Sequence, residues 1–277
     1  MRWSTVQDFL GAARDFLAAR EADHCLLFGI ASTIAHHPEV YREPRFWTVH
    51  EGERVVGAAL RTPPHNLILS QLDEPGRVAA LAADVLASDE APGVLGPTAV
   101  AHTLAAAWSA RTGRTALRQL QERIFRLDRV IPPRPAPGRC REAEERDRAV
   151  LTAWCAAFTA EATPGAPSGD PAEAADRFLR RVGRVAYLWE DAGEVVALGG
   201  AGGETPRGIR IGPVYTPPDR RGRGYASNLV AEVSQRHLDA GRSFCFLFTN
   251  LANPTSNHIY QSIGYVPVVD VDLYKFS

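Results

Sequence analysis

The sequence predicts an α+β chain: two copies of one unit, each with a central mixed, largely antiparallel sheet flanked by helices. Two observations carry this. The run Pro132-Pro133-Arg134-Pro135-Ala136-Pro137-Gly138 is a stiff, extended connector, because residues before proline are pushed out of helical geometry. On either side of it the elements come in a similar order, with the hairpins and the final strands recurring about 140–150 residues later. The expected division is residues 1–131, a linker at 132–140, and residues 141–277.

In the first half, Phe46–Val49 and Arg54–Ala59 flank Glu51-Gly52 and form a hairpin. Asn66–Leu72 is a strand, Arg77–Ala87 a helix and Val94-Leu95 a short strand. Val100–Ala110 is a helix, and Leu117–Leu127 the closing strand. In the second half, Glu142–Ala160 has the apolar spacing of an amphipathic helix, with Val150, Leu151, Trp154 and Phe158 on one face. Thr163–Pro171 is a loop by composition, and Ala172–Arg181 resumes a helix. Val185–Trp189 and Glu194–Leu198 form the second hairpin, and Ile209–Thr216 the next strand. A helix over Tyr225–Ala240 stops at Gly241, and an apolar strand spans Ser243–Phe248. A helix over Pro254–Ile263 stops at Gly264, and Val266–Phe276 is the last strand.

Composition narrows the function classes. The chain has 277 residues, 45% hydrophobic and 23% charged, with a net charge of −1. Nucleic-acid binding would need a basic excess or face, so none is expected. The four cysteines, Cys25, Cys140, Cys155 and Cys245, are scattered, without a C-x-x-C pair. Neither a disulfide framework nor a metal site is expected, and a reducing cytoplasm fits. His36-His37 reads as a solvated pair before Pro38. The longest uncharged stretch, Ala91–Ala110, is broken by Pro92 and Pro97, so no membrane span is expected. Asp8, Arg14 and Asp15 interrupt any leader pattern. Lys275 is the only lysine among many arginines, the coding bias of a GC-rich bacterial genome.

The segment Val214–Ala226 carries the chemistry. A strand runs into Arg220-Arg221-Gly222-Arg223-Gly224, and a helix follows at once. Such a turn aims backbone N–H groups at one point, and the helix start adds partial positive charge. Gly222 and Gly224 allow close approach of a bulky anion, and Arg221 and Arg223 add charge. The expected ligand is a phosphate or pyrophosphate. The spacing matches neither the G-x-x-x-x-G-K-[ST] loop nor the dinucleotide G-x-G-x-x-G with its downstream acid.

A second segment, Asn253-Pro-Thr-Ser-Asn-His-Ile-Tyr260-Gln-Ser-Ile-Gly264-Tyr265, follows a strand. Together the two resemble the GNAT acetyltransferase superfamily. Arg221, Gly224 and Ala226 meet its Q/R-x-x-G-x-G/A turn, and Asn253, Tyr260, Gly264 and Tyr265 meet its downstream pattern. The resemblance covers the second half and implies an N-acetyltransferase using acetyl-CoA. It implies that the backbone of Gly222–Ser227 (Gly222, Arg223, Gly224, Tyr225, Ala226, Ser227) holds the pyrophosphate beside Arg221. It implies that Val214, Tyr215 and Thr216 pair with the pantetheine arm, that Asn253 binds its amides, and that Tyr260 sits near the sulfur as the proton donor to the departing thiolate.

A general base is not evident; Glu204, Glu161, Asp170, His258 and ordered water stay open. The first half lacks both motifs, and Asp73-Glu74 places negative charge where phosphates would sit, so it reads as a degenerate GNAT-like copy. The acceptor is an amine of a small molecule or peptide, whose specificity belongs to the loops Thr163–Pro171 and Gly202–Arg207. The competing reading is a non-catalytic coenzyme A sensor.

Overall fold

A computed structural model of the chain describes residues 1–88, 91–162 and 169–277. Most of the expected loop Thr163–Pro171 lies outside the described residues. The elements in chain order are β1 (Arg2–Trp3), α1 (Val6–Ala19), α2 (Cys25–His36), β2 (Arg45–Glu51), β3 (Arg54–Arg61), β4 (Leu67–Leu69), α3 (Pro75–Ser88), β5 (Gly93–Pro97), α4 (Thr98–Thr112) and β6 (Ala116–Leu127). There follow β7 (Arg139–Glu142), α5 (Arg148–Ala162), α6 (Pro171–Leu179), β8 (Arg184–Asp191), β9 (Glu194–Gly202), β10 (Gly208–Tyr215), α7 (Tyr225–Asp239), β11 (Phe244–Asn250), α8 (Pro254–Ser262) and β12 (Val266–Phe276). Apart from short 3-10 turns, the order strand, two helices, three strands, helix, strand, helix, strand occurs twice.

The first compact unit contains Met1–Ile124, Asn250–Ala252 and Val268–Ser277. Antiparallel β1-β2-β3-β4 continues into β5, which is parallel to β4. Helices cover both faces. On one, Phe9, Ala13 and Leu17 of α1 and Leu27, Phe28 and Ala31 of α2 pack on Phe46, Ala58 and Leu60. On the other, α3 and α4 bury Leu81, Val85, Leu104 and Trp108 around Trp47 and Val94. The helix α1 starts where the Thr5 hydroxyl accepts from the Asp8 amide, satisfying a donor left open by the first turn.

The last strand of the chain closes this first unit. Val271–Lys275 run antiparallel to Gly93–Pro97, and Phe276 stacks on Trp108 with ring centres 4.1 Å apart. Gly93 is required there, since a Cβ would collide with the Tyr274 carbonyl. Asp272, fully buried, accepts from Thr98 Oγ1 at 3.1 Å, with Arg118 at 3.5 Å. Arg123 holds Asp270 through two bonds of 2.6 and 2.8 Å.

The second unit contains Phe125–Thr249 and Asn253–Pro267. Its strands run β7-β8-β9-β10-β11, antiparallel except for β10 and β11. The helix α7 covers one face through Leu229, Val230 and Val233, packed on Ile209, Ile211, Cys245 and Leu247. The helices α5 and α6 cover the other through Leu151, Cys155 and Phe178, packed on Leu188, Leu198 and Tyr215. The expected helix at Glu142–Ala160 begins only at Arg148. Residues 139–142 instead form β7, and the cause is electrostatic: Arg141 is clamped by Asp147 at 2.7 Å and Glu190 at 2.7 Å, which ties the strand to β8. The proline segment runs extended. Trp189 Nε1 donates to the Pro137 carbonyl at 2.8 Å, and Asn228 Nδ2 to that of Arg134 at 3.0 Å.

Candidate cofactor and catalytic site

The strand β10 pairs with β11 only from Gly208–Arg210 to Phe244–Phe246. Beyond Arg210 its partners are in β9, with Ile211 opposite Ala201, Val214 opposite Gly199 and Tyr215 opposite Leu198. The pairing shifts between Ile211 and Val214, where Gly212 has φ +145°, a conformation open to glycine. The two parallel strands therefore part, leaving the edge of Val214–Thr216 open to an extended ligand. The Thr216 hydroxyl, buried in a half-buried residue, has no hydrogen-bond partner among the described residues.

After β10 the chain makes a 3-10 turn at Pro218–Arg220 and enters α7 through Gly224. Gly222 and Gly224 have φ +76° and +83°, in the left-handed region that a side chain would strain. Arg221, Gly222, Arg223 and Gly224 are all exposed. The Gly224 carbonyl accepts from the Asn228 amide N at 3.1 Å and its side chain at 2.9 Å. No side chain caps α7, so its first N–H groups stand over an exposed turn. Of the expected cofactor residues, Tyr225 turns its side chain inward and donates to Asp191 at 2.6 Å; only its backbone faces the turn. Ala226 and Ser227 are half-buried.

The arginines of the turn differ in what holds them. Arg221 donates from Nε to the Thr216 carbonyl at 2.8 Å and from Nη2 to Glu161 at 2.7 Å. Arg220 pairs with Glu194 at 2.6 Å, and Arg223 reaches only the Asp219 carbonyl at 3.4 Å.

Asn253 caps α8, its Oδ1 accepting from the Ser256 amide at 3.0 Å. Two turns on, Tyr260 is half-buried against the α7-side core, its ring 6.0 Å from that of Tyr265 in a T-shaped pair. Tyr265 is fixed by Ser234 at 2.9 Å. Burial pushes the Tyr260 phenol up to about 12, so it stays protonated throughout the physiological range. Gly264, at φ +105°, lets the chain turn out of α8 against the Arg129 carbonyl.

The four possible bases are placed as follows. Glu161 is paired with Arg221, and Glu204 with Arg242 at 2.6 Å. Asp170 caps α6 by accepting from the Ala172 amide at 2.8 Å, and His258 is exposed on α8. Three of the four thus already serve a structural bond.

The matching corner of the first unit is built differently. Leu72 is buried against Gly57 of β3, and the Gln71 amide donates to His24 Nε2 at 3.2 Å. Asp73 and Glu74 are exposed, and α3 begins at Pro75, which has no N–H to offer. Among the described residues no helix is long and apolar enough to cross a membrane.

Residues 151–265 match the sequence model of the Acetyltransferase (GNAT) family. No curated protein matches the chain in sequence. Solved structures resemble it over nearly its whole length at low identity. A Drosophila protein aligns at TM-score 0.69 and 15% identity, covering 98% of this chain and 95% of that one. A GNAT-family acetyltransferase from Colwellia psychrerythraea aligns at 0.57 and 14%, covering 97% of each. A tandem GNAT protein from the clavulanic acid biosynthesis pathway aligns at 0.53 and 15%, covering 90% and 87%. The chain therefore carries a domain of the acetyltransferase (GNAT) family at residues 151–265, within a fold that repeats one GNAT-like order of elements twice.

Proposed function

We propose that residues 141–277 transfer the acetyl group of acetyl-CoA to the amine of a small molecule or peptide in the cytoplasm, and that residues 1–131, joined through 132–140, form a scaffold or acceptor-recognition half. The observation that carries this is the parting of β10 from β11 directly before an exposed, glycine-opened helix start. Phosphates suit the N–H groups from Gly222 to Ser227, with Arg221 and Arg223 as counter-charges. The open edge of Val214–Thr216 suits the pantetheine amides, and the Thr216 hydroxyl supplies a further polar group. Asn253 spends its oxygen on the cap of α8, which leaves its amide nitrogen to donate to a pantetheine carbonyl.

In this reaction the neutral amine attacks the acetyl carbonyl, a tetrahedral oxyanion forms, the nitrogen passes its extra proton to water, and collapse breaks the carbon–sulfur bond. The departing thiolate takes a proton, and Tyr260 is the donor in this reading: burial keeps the phenol neutral, so it carries the proton at physiological pH although it is a weaker acid than a free phenol. The structural engagement of Glu161, Glu204 and Asp170 favours a second reading, a coenzyme A sensor without turnover. Thiol release from acetyl-CoA across a panel of amines separates them. Release that depends on the amine supports transfer; tight coenzyme binding with no release from any amine supports the sensor.

A further inference from the structure

Along β10, Ile209 and Ile211 point into the core beneath α7. Arg210, between them, therefore projects to the opposite face, the one covered by α5 and α6. Its neighbours across the sheet are Gly202 on β9 and Phe246 on β11. On one side the absence of a Gly202 side chain lets the backbone at Gly183 and Arg184, where β8 begins, come close. On the other, the guanidinium lies over the ring of Phe248, 4.8 Å from its centre. Arg210 is half-buried, and its Nε is buried with no hydrogen-bond partner among the described residues. Among the described residues no carboxylate lies in ion-pair reach of it.

In the same unit Arg141, Arg148, Arg220, Arg221, Arg236 and Arg242 each hold an acid, and Arg177 on α6 shares the buried, unpartnered Nε but not the place beside the strand opening. A desolvated guanidinium without a carboxylate is costly to keep. The aromatic ring offsets part of that cost and covers one face of the cation, which leaves the planar N–H edge for an anion.

Position says which anion. Arg210 is the last residue of β10 paired to β11, so it stands at the inner end of the opening between them. The coenzyme phosphates suit the α7 start, beyond the far end of the same strand. The acyl end that would reach the opening is uncharged. The anion at Arg210 then comes from the acceptor. We propose that the acceptor amine carries a carboxylate, as an amino acid does, and that Arg210, held over Phe248, binds it and so determines specificity. This rests on the acetyl-transfer reading above.

The test compares amine pairs that differ only in that group: glycine with glycinamide, β-alanine with β-alaninamide, phenylalanine with phenylalaninamide. For each pair the ratio of acid to amide kcat/KM is measured in the full chain, in Arg210→Lys and in Arg210→Met, which keeps an apolar stem over the ring. The expected result is a fall in that ratio of about tenfold to a hundredfold from parent to Arg210→Met, the range for a charge-assisted hydrogen bond. The loss is expected mainly in KM, with partial retention in Arg210→Lys and an unchanged Kd for acetyl-CoA. A ratio that is the same in parent and Arg210→Met overturns the proposal. If no pair is turned over, the acetyl-transfer reading fails separately, and calorimetry of N-acetylglycine and N-acetylglycinamide on the coenzyme A-loaded protein decides. Acid binding that Arg210→Met removes supports the carboxylate site; absent or equal binding of the two overturns it.

Discussion

Arg221 and Glu161 lie 2.7 Å apart, and the pair ties the turn before α7 to the last turn of α5. Both side chains are about half exposed, so the bond itself contributes only about 0–1 kcal/mol. Its interest is competition, because a pyrophosphate at the α7 start would draw on the same guanidinium. Glu161→Gln is expected to lower the Kd for acetyl-CoA by up to about fivefold, an effect that added salt weakens. Calorimetry at two ionic strengths checks it. An unchanged or higher Kd would remove Arg221 from the phosphate site.

Tyr260→Phe deletes one O–H and keeps the ring against Tyr265. If the phenol protonates the thiolate, kcat should drop about 10²–10⁴-fold where chemistry is rate-limiting, with little change in the Kd for acetyl-CoA. The pH profile adds a second readout. A donor at about 12 is half ionised at that pH and only about a tenth ionised one unit lower, so this group imposes no alkaline fall in kcat below about pH 11. An unchanged kcat in the variant, or a variant that cannot fold, returns Tyr260 to packing.

One coenzyme per chain is expected, bound at the α7 turn. The other corner offers Asp73, Glu74 and a helix that starts with Pro75. Gly224→Glu puts a side chain at φ +83° and an acid beside the phosphates, and it should abolish that single site while circular dichroism reports a folded chain. Two tight sites in the parent, or parental affinity in the variant, would contradict this.

Arg141 and Asp147 form the most buried ion pair of the second unit's first strand, with only 16% and 5% of the side chains exposed. Arg141→Met strands the carboxylate and should cost about 3–5 kcal/mol. The Arg141 hydrogen bond holds the Asp147 carboxyl below its ordinary range. A depressed acid stabilises the fold above its unfolded pKa of about 4, and that contribution disappears as pH falls through the lower folded value. Urea titrations from pH 7 to pH 3 should therefore show the gap between parent and variant shrinking at the acid end. A gap independent of pH would mean that the charge of Asp147 is not what Arg141 supports.

Local pattern made most of this fold legible. The hairpin strands, α7, α8 and β12 were readable because apolar periodicity, glycine stops and capping residues act over a few neighbours. The periodicity places a helix start at Glu142, while the strand at 139–142 pairs with β8 and is fixed by Arg141 bonds to Asp147, six residues on, and to Glu190, distant in sequence. The helix α1 carries its signal locally, in Thr5 three residues before Asp8 and apolar residues at 6, 9, 13 and 17. At the site, the glycine turn and the Asn253–Tyr260 spacing stood out because few residue types tolerate those positions. Arg210 did not, since an arginine within a strand usually reads as a solvated face; its burial depends on Phe248, brought beside it by the parallel pairing of β10 and β11.

The pairing of β12 with β5 reverses the usual order of manufacture. A polypeptide leaves the ribosome from its N-terminus, yet the first unit lacks one strand until residues 268–277 have emerged. Through the synthesis of the whole second unit, the outer edge of Gly93–Pro97 waits with open N–H and C=O groups. The domain translated first is thus the domain finished last, and a stop codon or bulky tag near Ser277 acts on it rather than on the sequence next to the lesion.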